Sequence, residues 1–208
     1  MDKIFLFDLG GVLIKPMDNH KLYDKLNCKI PYSDFEKYWC WDKTVLDAHK
    51  GVVTDDYHVK ELLNYVKSDI SLKEFYNIYA ELRNQFYINT IEIIKKLKDE
   101  NYKVGLLSNL RLMDYNNCKE EIDNLKFDYL FLSYEIGYLK PYKEMYNYVI
   151  KECKCNPSDI IFFDDFIDNV NGAKKCGIYS YQITGDNIKD VFYKIMNDLN
   201  IKNMEVWK

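Results

Sequence analysis

Four short apolar runs, each closed by polar residues, limit what this chain can fold into. They are residues 3–7 before Asp8-Leu9-Gly10-Gly11, 103–107 before Ser108-Asn109, 129–132 before Ser133, and 160–163 before Asp164-Asp165. An apolar run of four to eight residues bounded by turn formers reads as a strand buried on both faces. Helical patterns separate the later runs, at residues 90–100, 142–152 and 168–176, the last stopping at Gly177. A further strand at 178–183 and a helix at 187–199 complete the series. Strand and helix in alternation from residue 90 onward predict an α/β fold, a three-layer Rossmann-like core with a parallel sheet.

Residues 16–88 break that rhythm. They hold no convincing strand, but two capping boxes, Ser33 to Glu36 and Ser71 to Glu74, each opening an amphipathic stretch. The expected organisation is a core of residues 1–15 and 89–208, with a helical cap, 16–88, inserted after the first strand. Such a cap hangs over the strand ends and is expected to move as a lid whose inner face selects the substrate. Trp39, Trp41 and His49 are its candidate contacts, although aromatics at helical spacing are more often core.

Composition excludes several classes. The 208 residues carry 29 basic and 33 acidic groups, a net charge of -4, and Arg83 and Arg111 are the only arginines. A nucleic-acid groove needs a cationic field and forked guanidinium contacts, so no nucleic-acid partner is expected. Six cysteines without paired CxxC spacing argue against a zinc site or a disulfide framework. No run of eighteen apolar residues occurs, and Asp8 interrupts the apolar start. The expected setting is a soluble cytoplasmic protein, monomer or homodimer, with no membrane partner.

In an open parallel sheet, ligands bind beyond the carboxyl ends of the strands. Asp8, Ser108, Asn109, Lys140, Asp164 and Asp165 all fall there. Carboxylates crowded into one crevice repel unless a cation neutralises them, and an all-oxygen donor set points to Mg²⁺. A phosphate can then take hydrogen bonds from Ser108 and be neutralised by Lys140, while Asp8 attacks phosphorus to form an aspartyl phosphate. Each residue alone has a plainer reading: Asp8 or Ser108-Asn109 as turn or cap residues, Lys140 as a solvated lysine before Pro141, Asp164-Asp165 as helix caps, and Arg111 as a surface arginine.

Taken in order, the segments Ile4-Phe5-Leu6-Phe7-Asp8-Leu9-Gly10-Gly11-Val12-Leu13, Leu106-Leu107-Ser108-Asn109, Tyr138-Leu139-Lys140-Pro141 and Phe162-Phe163-Asp164-Asp165 with Asn169 resemble the four motifs of the haloacid dehalogenase superfamily. The resemblance implies a Mg²⁺-dependent phosphatase of a small phosphorylated metabolite. Asp8 is then nucleophile and metal ligand, Ser108 and Asn109 hold the phosphoryl group, Lys140 neutralises it, and the Gly10 carbonyl, Asp165 and Asp164 complete the metal site.

One position departs from the pattern. Many phosphatases of the superfamily carry a general acid two residues after the nucleophile, where this chain has Gly10. Three readings follow: a phosphatase resembling a bacterial sugar-phosphate subgroup with the same Asp-Leu-Gly opening, a weakly active or regulatory phosphate binder, and, ranked last, dehalogenase or phosphonate chemistry.

Overall fold

The computed structural model describes residues 3–82 and 85–199. In chain order the elements are β1 (Ile4–Phe7), α1 (Asn19–Lys25), α2 (Tyr32–Trp41), α3 (Lys43–His49), α4 (Asp55–Tyr65), α5 (Leu72–Glu81), α6 (Ile88–Asp99), β2 (Lys103–Ser108), α7 (Leu112–Leu125), β3 (Tyr129–Leu132), α8 (Ser133–Ile136), α9 (Lys143–Cys153), β4 (Ile160–Asp164), α10 (Ile167–Lys175), β5 (Tyr179–Gln182) and α11 (Ile188–Asp198). All sheet pairings are parallel, in the order β3-β2-β1-β4-β5. The α/β class and three-layer core expected from the sequence are what the chain adopts.

Period-two side-chain alternation sorts the strand residues between the two faces. Phe5, Phe7, Ile161 and Phe163 pack with α6, α7 and α11, whereas Ile4, Leu6, Ile160 and Phe162 pack with α9 and α10. Both faces are covered, so the strands read as continuous apolar runs. Because β1 sits between β2 and β4, with Phe7 paired to Leu106 and Phe163, Asp8 emerges at the centre of the sheet's carboxyl edge.

Helices α1 to α5 pack round a separate cluster that includes Leu22, Phe35, Trp39, Leu62 and Phe75, with Met113 of α7 reaching in from the sheet side. Two chain crossings join this bundle to the sheet side by side. Ile14 and Phe86 form an antiparallel bridge, Lys15 donates to Gln85 O at 2.8 Å, and Tyr87 donates to Leu13 O at 2.9 Å. Among the described residues no helix is long and apolar enough to cross a membrane.

Helix boundaries follow local chemistry. Ser71 caps α5 as expected, accepting from the Glu74 N–H at 3.2 Å. Ser33 does not cap α2: the helix begins at Tyr32 with Pro31 in the cap position, at φ −58°. The proline ring presets that angle and starts the helix before the serine is reached. Helices α7 and α8 were not anticipated, and Ser108 is the last strand residue rather than the first of a turn.

Candidate active site

The sheet register brings Asp8, Ser108 and Asp164 to one edge, and the loop after α8 carries Lys140 beneath them. Lys140 is buried, with Nζ 2.8 Å from Asp8 Oδ1, 2.6 Å from Asp164 Oδ2 and 3.0 Å from Leu107 O. The Asp8 contact is a buried ion pair. Burial alone pushes the ammonium down, and Asp164 and Asp8 more than reverse this, so Lys140 is held protonated. Its peptide groups are fixed as well: Asn109 accepts from Lys140 N–H and donates to Lys140 O, both at 2.9 Å.

Asp164 is saturated. Its oxygens accept from Phe166 N–H at 2.8 Å, from Asn169 Nδ2 at 3.0 and 3.1 Å, and from Lys140. Tyr146 in turn donates to Asn169 O at 2.6 Å. Asp8 is held differently: burial pushes its carboxyl up, Lys140 opposes, and Asp164 and Asp165 add to the rise, leaving it at about 6. Asp165 is also pushed up, by burial and then by Asp164.

Asp8, Asp164 and Asp165 each offer an oxygen, and these atoms lie within 4.8 Å of one another. One lysine charge faces three carboxylates, so the donor set suits a hard divalent cation. Gly11 makes room for the Asp165 carboxylate. At φ +71°, a Cβ there would stand 2.1 Å from Asp165 Oδ2. Gly11→Ala is therefore expected to displace the Asp165 carboxylate and weaken Mg²⁺ binding tenfold or more (order of magnitude, as for altered metal supports), measured by titration calorimetry. Equal affinity would show that Asp165 is no part of a metal site. Gly10 differs: its φ is not left-handed, and a Cβ there meets nothing within 4 Å.

Gly10 and Leu9 line a cavity of about 160 Å³ together with Ser108 and Asn109, Met17, Tyr79 and Leu82 from the helical bundle and its linker, and Asp114 and Asn117 of α7. The three nominated bundle residues are absent from that lining. Trp41 is 64% exposed, and Trp39 is 7% exposed in the bundle core. His49 Nε2 lies 4.0 Å from Asp114 Oδ2.

Arg111 is buried, which overturns its surface reading. Its guanidinium binds Asp114 in a fork, Nε to Oδ2 and Nη2 to Oδ1, both at 2.9 Å. It meets His58 Nε2 at 3.1 Å and Tyr79 Oη at 3.2 Å, and its Cζ lies 4.3 Å from the Trp39 ring centroid. Tyr79 also donates to Asp114. One core arginine thus ties α7 to α2, α4 and α5. Burial first, then the Arg111 charge, holds His58 down at about 3 and His49 at about 4, so both are neutral bases at physiological pH. A second tie lies nearby: Ser133 Oγ donates to His49 O at 2.6 Å, and Gly51 packs so closely that a Cβ would meet Tyr134 O at 2.1 Å. All six cysteines are free thiols.

A sequence model of the haloacid dehalogenase-like hydrolases matches residues 3–177. D-ribitol-5-phosphate phosphatase of Bacteroides thetaiotaomicron is 27% identical over 195 residues, which span 88% of this chain and 92% of that protein. A HAD family enzyme from the same organism, solved with magnesium and inorganic phosphate, superposes with a TM-score of 0.76 at 24% identity, over 89% of this chain and 96% of its own. The L-2-haloacid dehalogenase of Xanthobacter autotrophicus, with chloropropionic acid covalently bound, superposes at 0.61 and 18% identity, over 88% and 78%. At these identities the structures speak for the fold. The family match runs from the strand that ends at Asp8 to the glycine that follows α10, and the chain belongs to the haloacid dehalogenase-like hydrolases.

Proposed function

We propose that this chain is a Mg²⁺-dependent phosphatase that hydrolyses a small phosphomonoester, a sugar phosphate, through an aspartyl phosphate on Asp8. The observation that carries the reading is the buried Lys140 ammonium held between Asp8 and Asp164. It supplies a fixed positive charge where a phosphoryl group would arrive, in a setting that excludes water. Asp8, the Gly10 carbonyl and Asp165 would hold the cation; Asp164, whose oxygens are already taken, stands beside it and anchors Lys140. When bound, Mg²⁺ neutralises the carboxylates and the phosphate and so lowers the barrier to attack.

Asp8 forms a bond to phosphorus as the ester P–O bond breaks, with Ser108 Oγ and the Asn109 backbone N–H donating to the phosphoryl oxygens. Water then attacks phosphorus, releases phosphate and restores the Asp8 carboxylate. Residues 16–88 act as the cap over this centre. The ribitol phosphate phosphatase relative supports the sugar-phosphate class, and the acidic balance supports a free metabolite over a nucleic acid. The protein works in the cytoplasm, as a monomer or homodimer.

Gly10 supplies no acid to protonate the departing oxygen, so leaving groups that need little help should react best. Phosphate release from aryl, acyl, anomeric and alkyl phosphates, with and without Mg²⁺, tests this. Turnover is expected only with Mg²⁺, and faster for the activated esters than for alkyl phosphates. Gly10→Asp should flatten that dependence, since the position has room for the side chain. Folded protein that turns over none of them, yet retains phosphate by calorimetry, would be a binder instead.

A further inference from the structure

The lining of the cavity beside Asp8 holds more than the phosphoryl chemistry requires. Its volume of about 160 Å³ is close to that of a cavity that takes one benzene-sized molecule. A leaving group of roughly six to ten non-hydrogen atoms fills such a space, and a nucleoside would project well beyond it. Neither backbone angle nor packing requires glycine at position 10. Its missing side chain leaves the cavity open next to the nucleophile.

Several polar side chains on this wall are already engaged. The Asp114 carboxylate already takes four donors: Arg111 N–H, Nε and Nη2, and the Tyr79 hydroxyl. Tyr79 Oη also accepts from Arg111, and the Asn109 amide holds the Lys140 peptide with one bond from its nitrogen and one to its oxygen. Ser108 is the residue that the proposed reaction assigns to the phosphoryl group. Asn117 is different: Nδ2 makes one long bond, 3.4 Å to Tyr79 O, and among the described residues its side-chain oxygen accepts none. It is half-buried, and Leu9, Ile14, Met17 and Leu82 supply much of the apolar part of the same lining.

We propose that Asn117 is a specificity-determining residue that hydrogen-bonds a hydroxyl of a short polyol or open-chain sugar leaving group, seated over Gly10. This rests on the phosphatase reading and adds to it a length and a reader. Apolar side chains beside one amide with bonding capacity to spare favour a chain that is slim and carries a hydroxyl away from the phosphate, because a hydroxyl-free chain forgoes that bond.

The test compares kcat/KM for acetyl phosphate, glycerol phosphate, a tetritol phosphate, a pentitol phosphate and a nucleoside monophosphate. It uses the unmodified protein, Asn117→Leu and the smaller Asn117→Ala, each with Mg²⁺. For the unmodified protein, kcat/KM should rise up to about five carbons and fall sharply for the nucleotide. Both variants should lower the ratio of pentitol to acetyl phosphate about tenfold, chiefly through KM. A nucleotide cleaved as well as the pentitol ester overturns the length limit, and the same ratio in all three proteins overturns the role of Asn117; in both cases the phosphatase reading stands. No turnover of any ester, acetyl phosphate included, removes the phosphatase reading and this proposal with it.

Discussion

Asp8→Asn is expected to lower phosphate release by at least about a thousandfold, as loss of the proposed nucleophile would, and the metal-free variant is expected to melt at a higher temperature than the unmodified protein. The second effect follows from the electrostatics. Burial and the neighbouring Asp164 and Asp165 raise the Asp8 carboxyl from 3.8 to about 6, against the pull of Lys140. A raised acid holds its proton more tightly folded than unfolded, so stability falls as pH rises through that window. Above pH 6 the cost is about 3 kcal/mol by linkage, an order-of-magnitude figure. Asn carries no such charge and Lys140 keeps Asp164, so the variant's advantage is present at pH 8 and gone below pH 4. Thermal melts at both pH values without Mg²⁺ check this. Undiminished turnover in the variant would move the nucleophile elsewhere.

Arg111→Ala should cost about 3 to 5 kcal/mol, the range for breaking a buried ion pair from one side, and lower the melting temperature by about 10 °C. Asp114 is the reason. Despite burial, the Arg111 guanidinium and then the neighbouring hydrogen bonds hold its carboxyl well below the usual range. Without Arg111 that charge stays buried and uncompensated, and Trp39, Tyr79 and His58 lose their shared partner. Pairing Arg111→Met with Asp114→Asn should recover much of the loss, because both charges then leave together. Calorimetry on the single and double variants measures this, with Lys119→Ala as an exposed ion-pair control expected to leave the melting temperature in place. A single variant as stable as the parent would show that the bundle is held by its apolar contacts alone.

The site was legible where chemistry lies close to the strand it depends on. Asp8, Ser108 and Asp164 stand at or just past the ends of apolar runs, so their meeting at one edge follows from parallel pairing, and the loop carrying Lys140 precedes a recognisable helix. Arg111 was illegible because its partners Trp39, His58 and Tyr79 lie on three helices far upstream, and nothing local says that they close over it. The two nominated tryptophans show the limit of residue type as a guide. At two positions apart on α2, Trp39 and Trp41 point about 200° apart round the axis, so one is buried and the other faces solvent. Helix α7 did leave a signal: Tyr115, Cys118, Ile122 and Leu125 recur at helical spacing and all are buried. Asn117 left none, since its meaning depends on a wall built by Met17, Tyr79 and Leu82.

The central place of β1 sets an order on synthesis. Ile4 pairs with Lys103 on one side and Ile160 on the other, so β1 is made well before either of its neighbours. The bundle that follows has an apolar cluster drawn almost wholly from residues 22–82, and it can close on itself while the sheet is still being made. Asp8 acquires Lys140 and Asp164 only when β4 slots in beside it. A nascent chain that stops short of β4 therefore carries a closed helical bundle beside an unfinished sheet edge.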